Sequence, residues 1–333
     1  MKLFKKFSLL FSMAVVALSL TACGTTANGG ASDNNAEKEQ APAEEVQPEQ
    51  EPESKTVTIT HEIDETELEV NPQRIIVFDY GILDALDALG IDIAGLPKKT
   101  LPEYLSKYGD EKYVDVGTLQ EPNFEVIYEL KPELIFISAR QRDLYEQFKE
   151  IAPTIYTPLV GEDYLNAFKS NMDILGQVFE KEDEVSQKVS EIEDEVKALN
   201  EEVVSQEKTA LFVLANQGSL SVYGRGSRYG MIYDDFGFIP ADENIEASTH
   251  GQKVSFEYLV EKNPDYLFVL DRGAVTGGDG EAASALMDND LVKSTKAYKE
   301  GNIVYVNPHL WYVATGGING TMAIIDEVAE SLK

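Results

Sequence analysis

Apolar and polar positions alternate through residues 55–70, with Val57, Ile59, Ile63, Leu68 and Val70 as the apolar members. A period of two predicts a β-hairpin. Asn71-Pro72 then turns the chain into Arg74-Ile75-Ile76-Val77-Phe78, a continuous apolar run that reads as a buried strand. Leu83, Leu86, Ala88 and Leu89 follow at helical spacing, Gly90 ends the helix, and Ile91 to Leu96 is the next short apolar run. Strand, helix and strand joined by links this short predict parallel pairing in a doubly wound α/β sheet.

The pattern then repeats. Phe124-Glu125-Val126-Ile127-Tyr128-Glu129-Leu130-Lys131-Pro132-Glu133-Leu134-Ile135-Phe136-Ile137 matches residues 256–269 at one offset, sharing Phe-Glu, a second Glu, Pro followed by an acid, and a closing Phe. Each copy reads as a short helix, a proline break and a buried strand. The same offset aligns Arg140 with Arg272, each three residues beyond the last matched position of its strand. Between the copies, Tyr164 to Phe179 and Val185 to Val203 carry apolar residues at helical spacing, so 163–208 is expected to be one long helix or two bridging the halves. Thr209 to Leu214 reopens the α/β pattern. A duplicated α/β protein bridged by helix has its natural ligand site in the cleft between lobes, at the carboxyl ends of the strands. The expected lobes are 55–162 and 209–333.

The N-terminus carries different information. Lys2, Lys5 and Lys6 precede an apolar stretch from Leu9 to Leu20, too short for a membrane span, which reads as an export signal over 1–22. Leu20-Thr21-Ala22-Cys23 resembles a bacterial lipobox, and Cys23 is the one cysteine of the chain. The alternative is a secreted protein with a stray thiol. Residues 23–54 lack hydrophobic periodicity and hold eight acids against Lys38, the composition of a flexible tether.

Across its 333 residues the chain has 28 Lys and Arg against 59 Asp and Glu, a formal charge of −31. So acidic a surface repels nucleic acid. One cysteine and three histidines, His61, His250 and His309, exclude a disulfide framework and leave little for a protein-only metal cage.

Five ordered stretches carry a family resemblance: Ile137-Ser138-Ala139-Arg140-Gln141; Tyr223-Gly224-Arg225-Gly226-Ser227-Arg228-Tyr229-Gly230; Ser248-Thr249-His250-Gly251; Asn263 to Gly273; and Trp311-Tyr312. Over 55–333 the chain resembles the substrate-binding lipoproteins of iron–siderophore ABC importers, most of all their petrobactin-type, catecholate-recognising subgroup. The resemblance implies a class III periplasmic-binding-protein fold, two Rossmann-like lobes joined by a rigid long helix. It also implies a monomer tethered through lipid on Cys23 to the outer face of a Gram-positive-type cytoplasmic membrane, where it binds a ferric siderophore and hands it to an ABC permease. No resident cofactor and no catalytic residue are implied.

On that reading Arg140, Arg228 and Arg272 converge on the negatively charged chelate from both lobes. Guanidinium suits this because it donates forked hydrogen bonds to anionic oxygens and stays charged. Each arginine could instead pair with a surface acid, and Arg225 rivals Arg228. The resemblance also offers His250 and Tyr312 as iron ligands where a siderophore leaves coordination sites open; a hydrogen-bonding His and a packing Tyr are the alternatives. Trp311 could stack on catecholate rings or merely pack. Lys98, with Lys99, could add charge at the rim of the first lobe or simply be solvated. Glu125 and Glu257, at equivalent repeat positions, match the surface acids with which the family docks on its permease, although a helix N-terminus favours Glu by itself.

Haem or cobalamin capture on the same fold is the runner-up expectation. An α/β hydrolase is a third: Gly226-Ser227 superficially suggests a nucleophile turn, but neither a Gly-x-Ser-x-Gly turn nor a complete phosphate or dinucleotide fingerprint is present. A surface adhesin would need no charged cleft.

Overall fold

Ile75–Val77 and Leu134–Ile137 are buried on both faces, as a central parallel strand must be. They form the middle of a five-stranded, all-parallel sheet in the order Val114–Asp115, Gly95–Leu96, Ile75–Val77, Leu134–Ile137, Thr154–Tyr156. The structure, a computed structural model, describes residues 55–159, 163–248, 250–277 and 282–333. The export signal, Cys23 and the acidic tether lie outside the described residues.

The second lobe repeats the plan with one difference. Thr209–Asn216, Tyr266–Asp271 and Ile303–Val306 are parallel, and Ile239–Pro240 pairs parallel with the start of the first of them. Two antiparallel strands, Ser219–Tyr223 and Gln252–Val254, extend the sheet on the other side of Thr209–Asn216. The two helix–strand copies match in detail. Phe124–Leu130 and Phe256–Lys262 are both seven-residue helices, and both end on a non-glycine residue in the left-handed region, Lys131 (φ 48°) and Asn263 (φ 43°), just before the proline. Pro cannot continue a helix, and the left-handed cap turns the chain directly into the strand.

The hairpin is Thr56–His61 paired antiparallel with Asp64–Glu69. It buries Ile59 and Leu68 against the first lobe, and the Thr66 hydroxyl donates to the Thr154 carbonyl at 2.8 Å.

The bridge resolves into two helices with different jobs. Tyr164–Phe179 packs on the hairpin and on the helix Tyr80–Ala88, so it belongs to the first lobe. It stops at Glu180 (φ 52°), where Gly176 lets the chain turn tightly against Glu182. Glu182–Gln206 is the connecting helix; its 25 residues span about 37 Å at 1.5 Å each. It buries Val185, Ile192, Val196, Leu199 and Val203 along one stripe and exposes charge elsewhere.

The last helix departs from the expected boundary. Ile318–Ser331 does not stay with the second lobe but packs on the connecting helix and on Tyr80–Ala88 of the first. The joint is polar and buried. The Asp84 carboxylate accepts from the Gly320 amide and from Asn319 Nδ2, both at 2.7 Å, at the N-terminus of the last helix. Tyr164 and Thr321 share a hydrogen bond of 2.9 Å beside it. The backbones approach so closely that a Cβ on Gly81 would collide with the Thr315 carbonyl, and one on Gly317 with Asp84. The chain therefore crosses between lobes twice, once through the long helix and once through 307–317.

Burial pushes the Asp84 carboxyl up to about 6, with Asp87 adding to the shift and the two hydrogen bonds opposing it. The folded state therefore holds this proton more tightly than the unfolded chain, and the associated stability is full below the ordinary value of 3.8 and lost as pH rises through about 6. The melting temperature of the wild type, compared with that of Asp84→Asn from pH 4 to 7, should show a component falling with pH that the variant lacks. Parallel profiles would show that Asp84 does not titrate in this range.

Candidate functional site

Six arginines occur in the chain. Three are neutralised at the surface: Arg74 by Glu133, Arg142 by Glu62, and Arg225 by Asp234 at 2.7 Å with Glu243 at 3.6 Å. The other three, Arg140, Arg228 and Arg272, form no ion pair among the described residues. They line a cavity of about 910 Å³ between the lobes.

Each is brought there by its local sequence. Arg140 follows the strand Leu134–Ile137 in a tight turn, in which the Ser138 amide donates to Gln141 Oε1 at 3.1 Å and Gln141 Nε2 is anchored on the Leu119 carbonyl. Arg272 follows the equivalent strand of the second lobe. Its amide donates to the Ala215 carbonyl at 3.0 Å, and the Asp271 carboxylate accepts from the Ala274 and Ala283 amides. Arg228 sits in the loop after Ser219–Tyr223. That loop doubles back through Gly226 (φ 64°), a left-handed position suited to glycine, and is closed by Ser227 Oγ donating to the Gly224 carbonyl at 2.6 Å.

The three meet at Tyr312. Arg140 Nη2 and Arg228 Nη2 donate to its carbonyl at 2.8 and 3.0 Å, and Arg272 Nε donates to its hydroxyl oxygen at 2.8 Å. All three guanidinium carbons lie 4.8–5.8 Å from the centre of its ring, and Arg228 also lies 5.0 Å from that of Tyr229. Carbonyl, phenol and ring face are electron-rich but neutral, so the cluster is held without being neutralised. Burial pulls the Arg140 guanidinium below its ordinary value, and the charge of Arg228 adds to the shift. A guanidinium titrates so high that it stays charged nonetheless. Asp79, which sequence reasoning passed over, also lines the cavity near Arg140. Burial pushes its carboxyl up, while hydrogen bonds from the Ile82 amide and Ser138 and the charge of Arg140 oppose the shift.

The other sequence candidates divide. His250 is exposed and lines the same cavity as Tyr312. Arg225 lies in its surface ion pairs, apart from the cluster. Trp311 is fully buried, not stacked in the cleft: the turn His309–Val313 points it into the aromatic core beside Phe212, where Nε1 donates to Glu327 at 2.7 Å. Its neighbour Tyr312 takes the opposite direction. Lys98 does not line the cavity either; its ammonium caps the carbonyls of Gly109 and Asp110. Glu125 and Glu257 are exposed first-turn acids of the two equivalent helices. Ser227 is buried with its hydroxyl committed to a carbonyl, the wrong setting for a nucleophile. Among the described residues no group of three or more His, Cys, Asp or Glu could hold a bare metal ion.

Two parallel α/β lobes, one long connecting helix and a cation-lined cleft between them define a class III periplasmic binding protein, a carrier and not an enzyme. The chain belongs to the periplasmic binding protein family, whose sequence profile matches residues 75–310. It is 41% identical over 333 residues, 99% of each chain, to the petrobactin-binding protein YclQ of Bacillus subtilis strain 168. The crystal structure of YclQ superposes with a TM-score of 0.82 at 44% identity, covering 84% of this chain and 99% of that one. The periplasmic catecholate-siderophore binding protein VctP of Vibrio cholerae superposes with a TM-score of 0.78 at 37% identity, covering 83% and 100%. The probable siderophore-binding lipoprotein YfiY of B. subtilis is 30% identical over 97% of both chains.

Trp311 is the single tryptophan. Its emission should be blue-shifted and resistant to iodide in the native protein. Trp311→Phe should cost about 1–3 kcal/mol in urea unfolding, because it strips the half-buried Glu327 of a donor. Ready iodide quenching would place the ring in the cleft after all.

Proposed function

We propose that this protein captures a ferric siderophore of the catecholate class, petrobactin-like, in the cleft at Arg140, Arg228 and Arg272 and delivers it to an ABC permease. The observation that carries the reading is the set of three arginines gathered without a carboxylate partner in a chain with 59 acids. Iron(III) held by catecholates spreads negative charge over phenolate oxygens. A guanidinium has five N–H donors, and each of these three gives one to Tyr312, leaving the rest for the ligand. Charged hydrogen bonds in a partly desolvated cleft are the strong kind. Tyr312 and His250 face the same space, so either can complete iron coordination where the chelate leaves positions open. The lipobox supports anchorage through Cys23 on the extracytoplasmic side; among the described residues no helix is long and apolar enough to cross a membrane. One exposed acid per lobe, Glu125 and Glu257, fits docking on basic residues of the permease.

Fluorescence titration of the chain starting after Cys23 with a ferric bis-catecholate should saturate. Alanine at Arg140, Arg228 or Arg272 should each weaken binding about 10- to 100-fold, the worth of one charged hydrogen bond. Arg225→Ala should change it by no more than about twofold, as expected for a surface ion pair. A response to haem or cobalamin with none to ferric catecholates would overturn the ligand assignment.

The docking reading has its own test. Glu125→Lys with Glu257→Lys should abolish siderophore-dependent iron uptake in cells and leave binding in solution intact. Normal uptake by that double variant would remove the docking role.

A further inference from the structure

The two lobes line the cleft unequally, and the inequality lies in the antiparallel extension that only the second sheet has among the described residues. Side chains of Thr209–Asn216 alternate between two cores: Leu211, Val213 and Ala215 enter one, Ala210, Phe212 and Leu214 the other. Register carries the second face outward across the sheet. Phe212 pairs with Tyr223, Leu214 with Ser221, and Asn216 with Ser219; Ser221 in turn pairs with Lys253 on the edge strand.

Partners in register point to the same side, so this face runs from an aromatic end, Phe212, Tyr223 and Tyr229, to a polar end, Ser221, Lys253, Asn216 and Ser219. All four polar residues line the cavity. Leu220 and Val222, on the opposite face of the same strand, are buried apolar residues. The strand is therefore built in the ordinary alternating way, with its polar side turned to the cleft instead of to bulk water. Lys253 is exposed there and makes no ion pair or hydrogen bond among the described residues. Like the three arginines, it is a cation facing the cleft in an acidic protein, but it stands on the wall and not at the Tyr312 cluster.

We propose that Lys253, with Ser221, Ser219 and Asn216 beside it, is a second subsite that binds a carboxylate on the siderophore's linker, separate from the iron-bound catecholates held by the arginines. The chemistry selects this group. An ammonium is a point charge with three rotatable donors, and hydroxyl and amide donors next to it suit a compact anion better than a flat aromatic ring. The wall offers no aromatic side chain at its polar end on which a catecholate could stack. The inference deepens the proposed function and rests on it: the arginines read the metal–catecholate head, and the wall distinguishes one catecholate siderophore from another by what its linker carries.

The test uses two ferric probes, the iron(III) complexes of bis(2,3-dihydroxybenzoyl)-lysine, which carries a free carboxylate, and of its methylamide, which does not. Wild type should bind the carboxylate form about tenfold more tightly, and Lys253→Met should erase that preference while leaving methylamide binding unchanged. Ser221→Ala should reduce the preference in part. Lys197→Met removes an equal charge from the exposed side of the connecting helix and should leave the preference intact. Equal weakening of both probes by Lys253→Met, or no preference in the wild type, would overturn the subsite. If neither probe binds the wild type, the catecholate reading itself fails and this inference falls with it; Arg272→Ala separates the cases by weakening both probes alike.

Discussion

Three like charges at one tyrosine are the constraint around which this protein is organised. Guanidinium groups repel one another, and the low dielectric of a cleft strengthens that repulsion. The other three arginines of the chain, Arg74, Arg142 and Arg225, solve the problem by pairing with a carboxylate. Arg140, Arg228 and Arg272 have no ion-pair partner among the described residues and rest on the carbonyl, hydroxyl and ring of Tyr312, with the Tyr229 ring also beside Arg228. That arrangement fixes their geometry and leaves their charge unspent. On the proposed reading, an anionic chelate entering the cleft relieves a repulsion that already exists, so much of the ordering it would otherwise impose is done beforehand.

Such a cluster is possible only if four separate segments stay in register. Arg140 belongs to the first lobe, Arg228 and Arg272 to the second, and Tyr312 to the second crossing between them. The long helix sets the distance between lobes. The Asp84 joint fixes the second crossing by capping the last helix from the first lobe, with glycines at 81 and 317 permitting the contact. Two crossings, one helical and one clamped by buried hydrogen bonds, resist hinge motion far more than a single flexible strand would. Relative motion of the lobes is thus restricted, and on the proposed reading ligand capture proceeds with only modest adjustment of the lobes.

The parts of this design that were legible in the sequence are those carried by contiguous patterns. The helix–proline–strand repeat announced two equivalent strands, and with them Arg140 and Arg272 at equivalent strand ends. The choice between Arg225 and Arg228 was not decidable in that way, because it depends on Asp234 and Glu243, which the fold brings to Arg225. Trp311 and Tyr312 are adjacent and similar in character, and only the turn that holds them determines which is core and which is cleft. The polar wall was invisible for another reason. Ser-Leu-Ser-Val-Tyr reads as an ordinary half-exposed strand, and whether its polar face meets water or a ligand is set by the other lobe. The return of the last helix to the first lobe rests on Asp84, a buried acid 236 residues away from its partner Gly320.

The acidity of the chain and the cationic cleft do not conflict. At physiological salt the Debye length is about 8 Å, so acids on the outer faces of the lobes contribute little inside the cavity, where the three arginines and Lys253 outnumber the one lining carboxyl, Asp79. What the acidic surface does affect is the approach of an anion from a distance, which is slowed most at low salt. On the proposed reading, in which the protein is anchored at the membrane that holds its permease, slow capture is tolerable if the captured complex is retained. The charge distribution therefore favours retention and selectivity over speed of encounter: a neutral cradle around Tyr312 keeps the cations exposed to the ligand, and the outer acids keep indiscriminate polyanions away from them.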